Sequence, residues 1–316
     1  MKTKHYRSAG LLIESDFELP GLARHATGTG PAQLRYLRAD EKPSAPSNPT
    51  MEGADWASDG RRFYLTVPDV AEFLIWDNGT VEVWPTSESQ TNIAAFLVGS
   101  VLGIALHMRR IVTLHASAVQ VGGGAVLFCG DSGAGKSTMA AALQSHGFTV
   151  LCDDLCAIEL TNGEGAIAHS DGRKLKLWED TIGALGLQAK RGARVHNQLD
   201  KFFVQGDEAA KSFLPVRAVF ELAQNEGASE PKLFEMPMAD AAAMIRQNAY
   251  RPFLVRHLKD EALYFEAAVV LLRQAVLLRL ERHHDFDEIE KVVDIVLRQS
   301  PVAGLRHRPS ALHQER

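Results

Sequence analysis

With 316 residues, 46% of them hydrophobic, the chain is long enough for one large domain or two of ordinary size and can bury a core. Its 34 basic and 39 acidic residues give a net charge of -5 without a long basic run, which excludes a nucleic-acid footprint. Three cysteines, Cys129, Cys152 and Cys156, are an odd number set in or beside apolar runs, which argues against a disulfide framework and for a reducing, cytoplasmic setting.

In chain order, the basic opening is followed only by the short apolar patch Gly10–Ile13 before Glu14 and Asp16, so no secretory signal is expected. Strand-like runs at Tyr6–Ile13, Leu34–Arg38, Arg62–Val67, Ala71–Trp76 and Thr80–Trp84 alternate with turn-rich stretches such as Glu41–Ala54. They predict a mostly antiparallel N-terminal β-rich domain over residues 1–88.

After Pro85 the pattern changes. Ile93–Met108 is apolar but shorter than the roughly 20 residues a membrane span needs, so it predicts a buried helix and no membrane partner. Its Gly99-x-x-x-Gly103 spacing predicts close helix packing. Val112–Val121 and Ala125–Cys129, separated by glycines, predict a hairpin. A helix is expected over Lys136–Ser145, then strands at Phe148–Cys152, Leu155–Leu160 and Leu175–Trp178 and a helix near Glu179–Leu187. Further on come a strand at Arg217–Leu222, helices near Ala239–Gln247 and Glu261–Gln274, a strand at Val276–Leu280 and an amphipathic helix over Asp287–Leu297. A polar, aperiodic flexible tail is expected over 300–316, leaving 89–299 as the second domain.

The strongest signal lies between Cys129 and the helix. Gly130, Asp131, Ser132, Gly133, Ala134, Gly135, Lys136 and Ser137, followed by Thr138, form a complete phosphate-binding loop. Its glycines permit backbone angles that aim successive amides at anionic oxygens at a helix N-terminus. Lys136 supplies charge for the terminal phosphates and Ser137 a hydroxyl for the metal, so ATP and Mg²⁺ are the expected cofactors. Asp153 and Asp154 stand where the next strand ends, and adjacent strand side chains point to opposite sides. One carboxylate can help hold Mg²⁺ while the other accepts the proton of an incoming hydroxyl.

Leu114-His115-Ala-Ser-Ala-Val119, the loop Gly130–Thr138 and the pair Asp153-Asp154, in that order, resemble the HPr kinase/phosphorylase superfamily. The likeness is good over roughly Val112–Ile158. Tyr6–Ile13, Leu19-Pro20, Arg173–Trp178 and Asn248–Arg251 are similar to a branch of HPr-kinase-like proteins found beside peptide-modification genes, including kinases that phosphorylate lasso-peptide precursors on serine. The resemblance implies an α/β, HPr-kinase-like P-loop kinase core that transfers the γ-phosphoryl of ATP to a serine hydroxyl of a peptide or protein. It implies Asp153 as proton acceptor, Asp154 near the metal with Ser137, and His115 close to the phosphates as an orienting group. Relatives that act on HPr are oligomers, and this chain's different first domain leaves a homo-oligomer open.

The acidic signature segment of the HPr-specific enzymes is missing: Leu175-Lys176-Leu177-Trp178 stands there without its glutamate. Phosphorolysis and HPr as substrate therefore do not follow. Arg173, Lys174, Lys176, Arg194, Lys201 and Arg251 are candidate phosphate or acidic-peptide contacts, with solvated surface charge as the alternative reading. His196 and His283-His284 match no zinc spacing, and Asp285-Phe-Asp287 reads as a helix cap. The alternative functions are a kinase of a phosphocarrier protein or small metabolite, and a nucleotide-gated binding module.

Overall fold

The computed structural model describes residues 3–22, 30–161, 165–173, 175–196, 199–204, 212–227, 230–283 and 285–300. Lys174, His284, the side chain of His196 and, apart from Ser300, the expected tail over 300–316 lie outside the described residues. The fold is mixed α/β with several sheets. It divides into two compact units, Met1–Thr113 with Ala249–Leu263, and Leu114–Asn248 with Tyr264–Arg316.

In the first unit the strands are β1 (Lys4–Ser8), β2 (Leu11–Ser15), β3 (Leu34–Arg38), β4 (Met51–Glu52), β5 (Trp56–Ser58), β6 (Arg62–Val67), β7 (Ala71–Trp76) and β8 (Thr80–Pro85). They form one sheet in the order β1-β2-β3-β8-β7-β6-β5-β4. The single run expected at Tyr6–Ile13 is a hairpin, because Ala9 and Gly10 turn the chain at φ 51° and 79°. The sheet is less uniformly antiparallel than the alternation suggests, since β3 pairs in parallel with both β2 and β8.

The expected division at residue 88 and the observed one after Thr113 differ because the helix Gln90–Met108 packs on this sheet. Tyr36 donates its hydroxyl to the Leu97 carbonyl at 3.2 Å, and the rings of Phe73 and Phe96 lie 6.5 Å apart. The helix is long and apolar enough to cross a bilayer, but 67% of its most apolar window is buried inside the protein. It carries a π turn at Leu97–Val101. A Cβ on Gly99 would meet nothing within 4 Å, so the glycine spacing does not mark a close approach there. A short helix, Pro252–His257, returns to this unit, with Tyr250 N–H on Thr113 O at 2.8 Å and Phe253 against Trp56.

β9 (Val112–Leu114) lies at the unit boundary. In the second unit follow β10 (Ser117–Val121), β11 (Gly124–Cys129), β12 (Thr149–Cys152), β13 (Cys156–Thr161), β14 (Gly165–His169), β15 (Leu175–Trp178), β16 (Arg191–His196), β17 (Leu199–Val204), β18 (Phe213–Gln224), β19 (Lys232–Glu235) and β20 (Val276–Arg282). The main sheet runs β12-β10-β11-β18-β14-β13, with β20 on β18 and β19 on β20. β11, β18 and β20 are mutually parallel, aligning Phe128, Phe220 and Leu278. Every residue of β11 is buried, as its unbroken apolar run requires of a strand covered on both faces.

The rings of Phe128 and Phe220 stack at 5.9 Å and share one core with Met139 and Leu143 of the helix Lys136–Ser145. Ile289, Val292, Val293 and Val296, spaced three and four apart, turn one face of the helix Ile289–Gln299 into the same core. Truncating either phenylalanine to alanine would cost about 3–5 kcal/mol. A second sheet, β15-β17-β16, contributes Leu175, Leu177 and Phe202 to that core. β14, β16, β17 and β19 have no counterpart among the expected strands.

Candidate functional site

β11 delivers the chain to Gly130 and the helix Lys136–Ser145 carries it away, so the glycine loop lies at a helix N-terminus. Gly130, Gly133 and Gly135 have φ of 132°, 88° and 93°. Gly130 is doubly constrained, because a Cβ there would lie 2.5 Å from the Leu222 carbonyl oxygen. Lys136 is buried and donates its Nζ to the carbonyls of Gly130 and Asp131 at 2.7 and 2.9 Å. Burial lowers its pKa, while Cys129 and the carboxylates of Asp154, Asp153 and Asp131 pull the other way.

The loop opens on a cleft of about 530 Å³, within the range of small-ligand sites. Ser132, Gly133, Gly135, Lys136, Ser137 and Thr138 line one wall, while Asp153, Asp154, His115 and Ser117 line another. Gly130, Asp131 and Ala134 shape the loop from behind: Asp131 O accepts Ala134 N–H, and Ala134 O accepts from Arg282 Nη2 at 3.2 Å.

β12 ends at Cys152, and Asp153 follows, buried. Its Oδ1 accepts two hydroxyls, from Ser137 at 2.8 Å and Ser117 at 2.7 Å, while its Oδ2 lies 3.5 Å from the Lys176 N–H. Its backbone is fixed as well, the N–H donating to Asp171 Oδ2 and the carbonyl accepting from Arg173 Nη2 at 2.9 Å. Arg173 and Asp171 form a buried ion pair, with Nε on Oδ2 at 2.9 Å. Burial works against the guanidinium charge, but Asp171 and Asp154 outweigh it and raise its pKa. Far from being a solvated basic edge, Arg173 is one of the most enclosed charges of the unit.

Asp154 takes a left-handed φ of 76°, which an aspartate tolerates better than most residues, and this turns it toward His115. His115 Nδ1 lies 3.1 Å from both the backbone oxygen and Oδ1 of Asp154. Burial acts to raise the Asp154 pKa, yet the His115 hydrogen bond and the charges of Arg173, His115 and Lys176 prevail and hold it well below the carboxylate range. The hydrogen bonds therefore group the residues differently from the expected Ser137 and Asp154 pair: Ser137 reaches Asp153, and Asp154 faces His115.

His115 itself lies in a bend between β9 and β10, where a continuous strand was expected, and its N–H donates to the Asn248 carbonyl at 2.7 Å. Asn248 also accepts the Gly130 N–H on its side-chain oxygen at 2.7 Å. One residue thus ties the histidine bend to the first glycine of the loop. Asn248 opens the segment Asn248–Arg251, whose residues carry no motif that marks this tie. Asp171 belongs to no motif, and its place follows only from the irregular segment between β14 and β15 packing beside Asp153.

Lys176, Trp178, Asp180 and Lys201 also line the cleft. Lys201 Nζ stands 5.7 Å from the Trp178 ring, which is 49% exposed. Arg194 pairs instead with Asp200 at 2.9 Å, and Arg251 lies in the first unit, donating to Ser100 Oγ. Asp285 accepts the Asp287 N–H at 3.0 Å and so caps the short turn Phe286–Glu288, not the last helix as expected, whose N-cap is Glu288 without a side-chain bond. Among the described residues no cluster of three or more His, Cys, Asp or Glu side chains is placed to hold a metal alone.

No protein-family model matches the chain, and no curated protein matches it. Among solved structures it is similar to the Hpr(Ser) kinase/phosphatase from Coxiella burnetii, at 14% identity and a TM-score of 0.30, covering 59% of this chain and 95% of that one.

Proposed function

We propose that the chain is an ATP-dependent kinase that moves the γ-phosphoryl group to a serine hydroxyl of a peptide or protein, with Asp153 as general base. The observation that carries this reading is the joining of the two walls of the cleft. The hydroxyl of the loop's Ser137 rests on Asp153, so a nucleotide held by the loop would present its terminal phosphate beside a buried carboxylate.

The two aspartates suit different tasks. Asp154 is held charged far below the usual range and is a weak proton acceptor, so its permanent charge suits a cation. Asp153 keeps Oδ1 on two serine hydroxyls and has Oδ2 left to take the acceptor proton. As that proton passes to Asp153, the serine oxygen bonds to the γ-phosphorus and the bond to the β-phosphate oxygen breaks, releasing ADP. Lys136 would exchange its loop carbonyls for phosphate oxygens, and His115 would steady Asp154.

Ser137 and Asp154 offer oxygen ligands that fit Mg²⁺, which binds through one or two carboxylates together with nucleotide phosphates. When bound, Mg²⁺ neutralises charge on the β- and γ-phosphates. The lasso-type precursor peptide is the acceptor this reading favours, from the resemblance of the segments Tyr6–Ile13, Arg173–Trp178 and Asn248–Arg251. Incubating the protein with Mg-ATP and serine-containing precursor peptides, followed by mass spectrometry with fragmentation, tests it: a single added phosphate on a serine is expected. Nucleotide binding with no transfer to any peptide would favour a nucleotide-gated binding module.

A further inference from the structure

We infer that the first unit holds a second ligand site, a pocket for a carboxylate on a short carbon body, formed around Arg7 and Arg109. The pocket measures about 310 Å³ and is lined by these two arginines with Gln33, Asn78, Leu12 and Pro31. Arg7 projects from β1, where it pairs in register with Leu12 of β2, and Arg109 follows the last turn of the helix Gln90–Met108.

The polar groups here are donors. Gln33 already uses its side-chain oxygen to accept the Leu12 N–H at 2.7 Å, and Asn78 uses its own for the Thr80 N–H at 2.9 Å. Each amide is left with its NH₂ group to offer. Arg109 Nε is buried without a hydrogen-bond partner, and no carboxylate lines the pocket, among the described residues. Among the described residues neither Arg7 nor Arg109 forms an ion pair. The Nη groups of a guanidinium are donors as well, and an anionic oxygen takes charge-assisted bonds from them.

Two guanidiniums and two amide NH₂ groups match the acceptor-only oxygens of a carboxylate. The buried Leu12 and the ring of Pro31 supply an apolar wall for the carbon atoms that carry it. An acidic side chain of a peptide and a free small organic acid share this chemistry. The site stands independently of the kinase reading, because every residue in it belongs to the first unit and the nucleotide cleft belongs to the second.

Calorimetric titration of the intact chain with glutarate, and separately with a blocked pentapeptide bearing a central glutamate, distinguishes the two sources. Binding of at least one probe is expected. Arg7→Gln and Arg109→Gln should each weaken it by about tenfold, while the exposed Lys232→Gln should not. Arg7 is exposed on its strand, so Arg7→Gln remains informative even where Arg109→Gln fails to fold. The inference is overturned by no binding of either probe, by binding that survives both arginine substitutions, or by binding lost instead in Lys136→Ala.

Discussion

The two walls of the cleft are built on different plans. The glycine wall is local: six consecutive residues, three of them glycines at positive φ, fold between β11 and the helix Lys136–Ser145. The carboxylate wall is assembled from afar. Asp153 is held by Ser117 from β10, Ser137 from the loop helix, and Asp171 and Arg173 from the segment after β14. The difference teaches where each wall is vulnerable. The loop fails through its own backbone, and the rim fails through Asp171 and Arg173, which stand outside the lining of the cleft.

Arg173→Met should give the largest effect. It removes the guanidinium that neutralises the buried Asp171 carboxylate, which costs about 3–5 kcal/mol, and the donor on the Asp153 carbonyl. Urea unfolding should show the loss, and turnover measured below the transition should fall with it. A stability change under 1 kcal/mol, roughly the worth of a surface pair, would mean the rim does not rest on this ion pair.

Gly130→Ala tests the other wall. Its Cβ would meet the Leu222 carbonyl and its φ is one that side chains avoid, so about 1–3 kcal/mol of strain is expected. Thermal unfolding measures it, with ATP affinity falling in parallel. Asn248→Ala probes the tie to the histidine bend: losing the acceptor of the Gly130 N–H should cost about 1–2 kcal/mol. Nucleotide affinity should drop before the fold does.

The smallest effect is a titration. The folded pKa of Asp154 lies below its unfolded value of about 3.9. Its contribution to stability is therefore present above that pH and lost as pH falls through the folded value. Between pH ~5 and ~8 the group should not titrate. In His115→Asn its carboxyl signal, followed by NMR, should titrate at higher pH than in the parent, because a stabilising hydrogen bond is gone.

The same contrast decides what the sequence could reveal. The loop was legible because its chemistry and its fold are written in one contiguous stretch. The pair Asp153-Asp154 was legible as a pair, but which carboxylate meets Ser137 depends on the left-handed turn at Asp154, which no spacing announces. β11, the long buried helix and the helix Glu261–Gln274 followed from apolar runs and periodicity. β16 and β17 did not, because their polar and charged residues alternate without a strong apolar face until Phe202 meets the core. The parallel pairing of β3 with β2 and β8 was hidden too, since alternation gives a strand its faces and not its neighbours' direction.

In the proposed transfer the two walls act together, the loop holding the donor and Asp153 taking the acceptor's proton. The most direct measurement compares parent and Asp153→Asn for Mg-ATP binding and for phosphate transfer to a serine peptide followed by mass spectrometry. Nucleotide affinity near that of the parent is expected, with transfer slower by about 10²–10⁴-fold. Transfer at the parent rate with nucleotide bound equally well would contradict it.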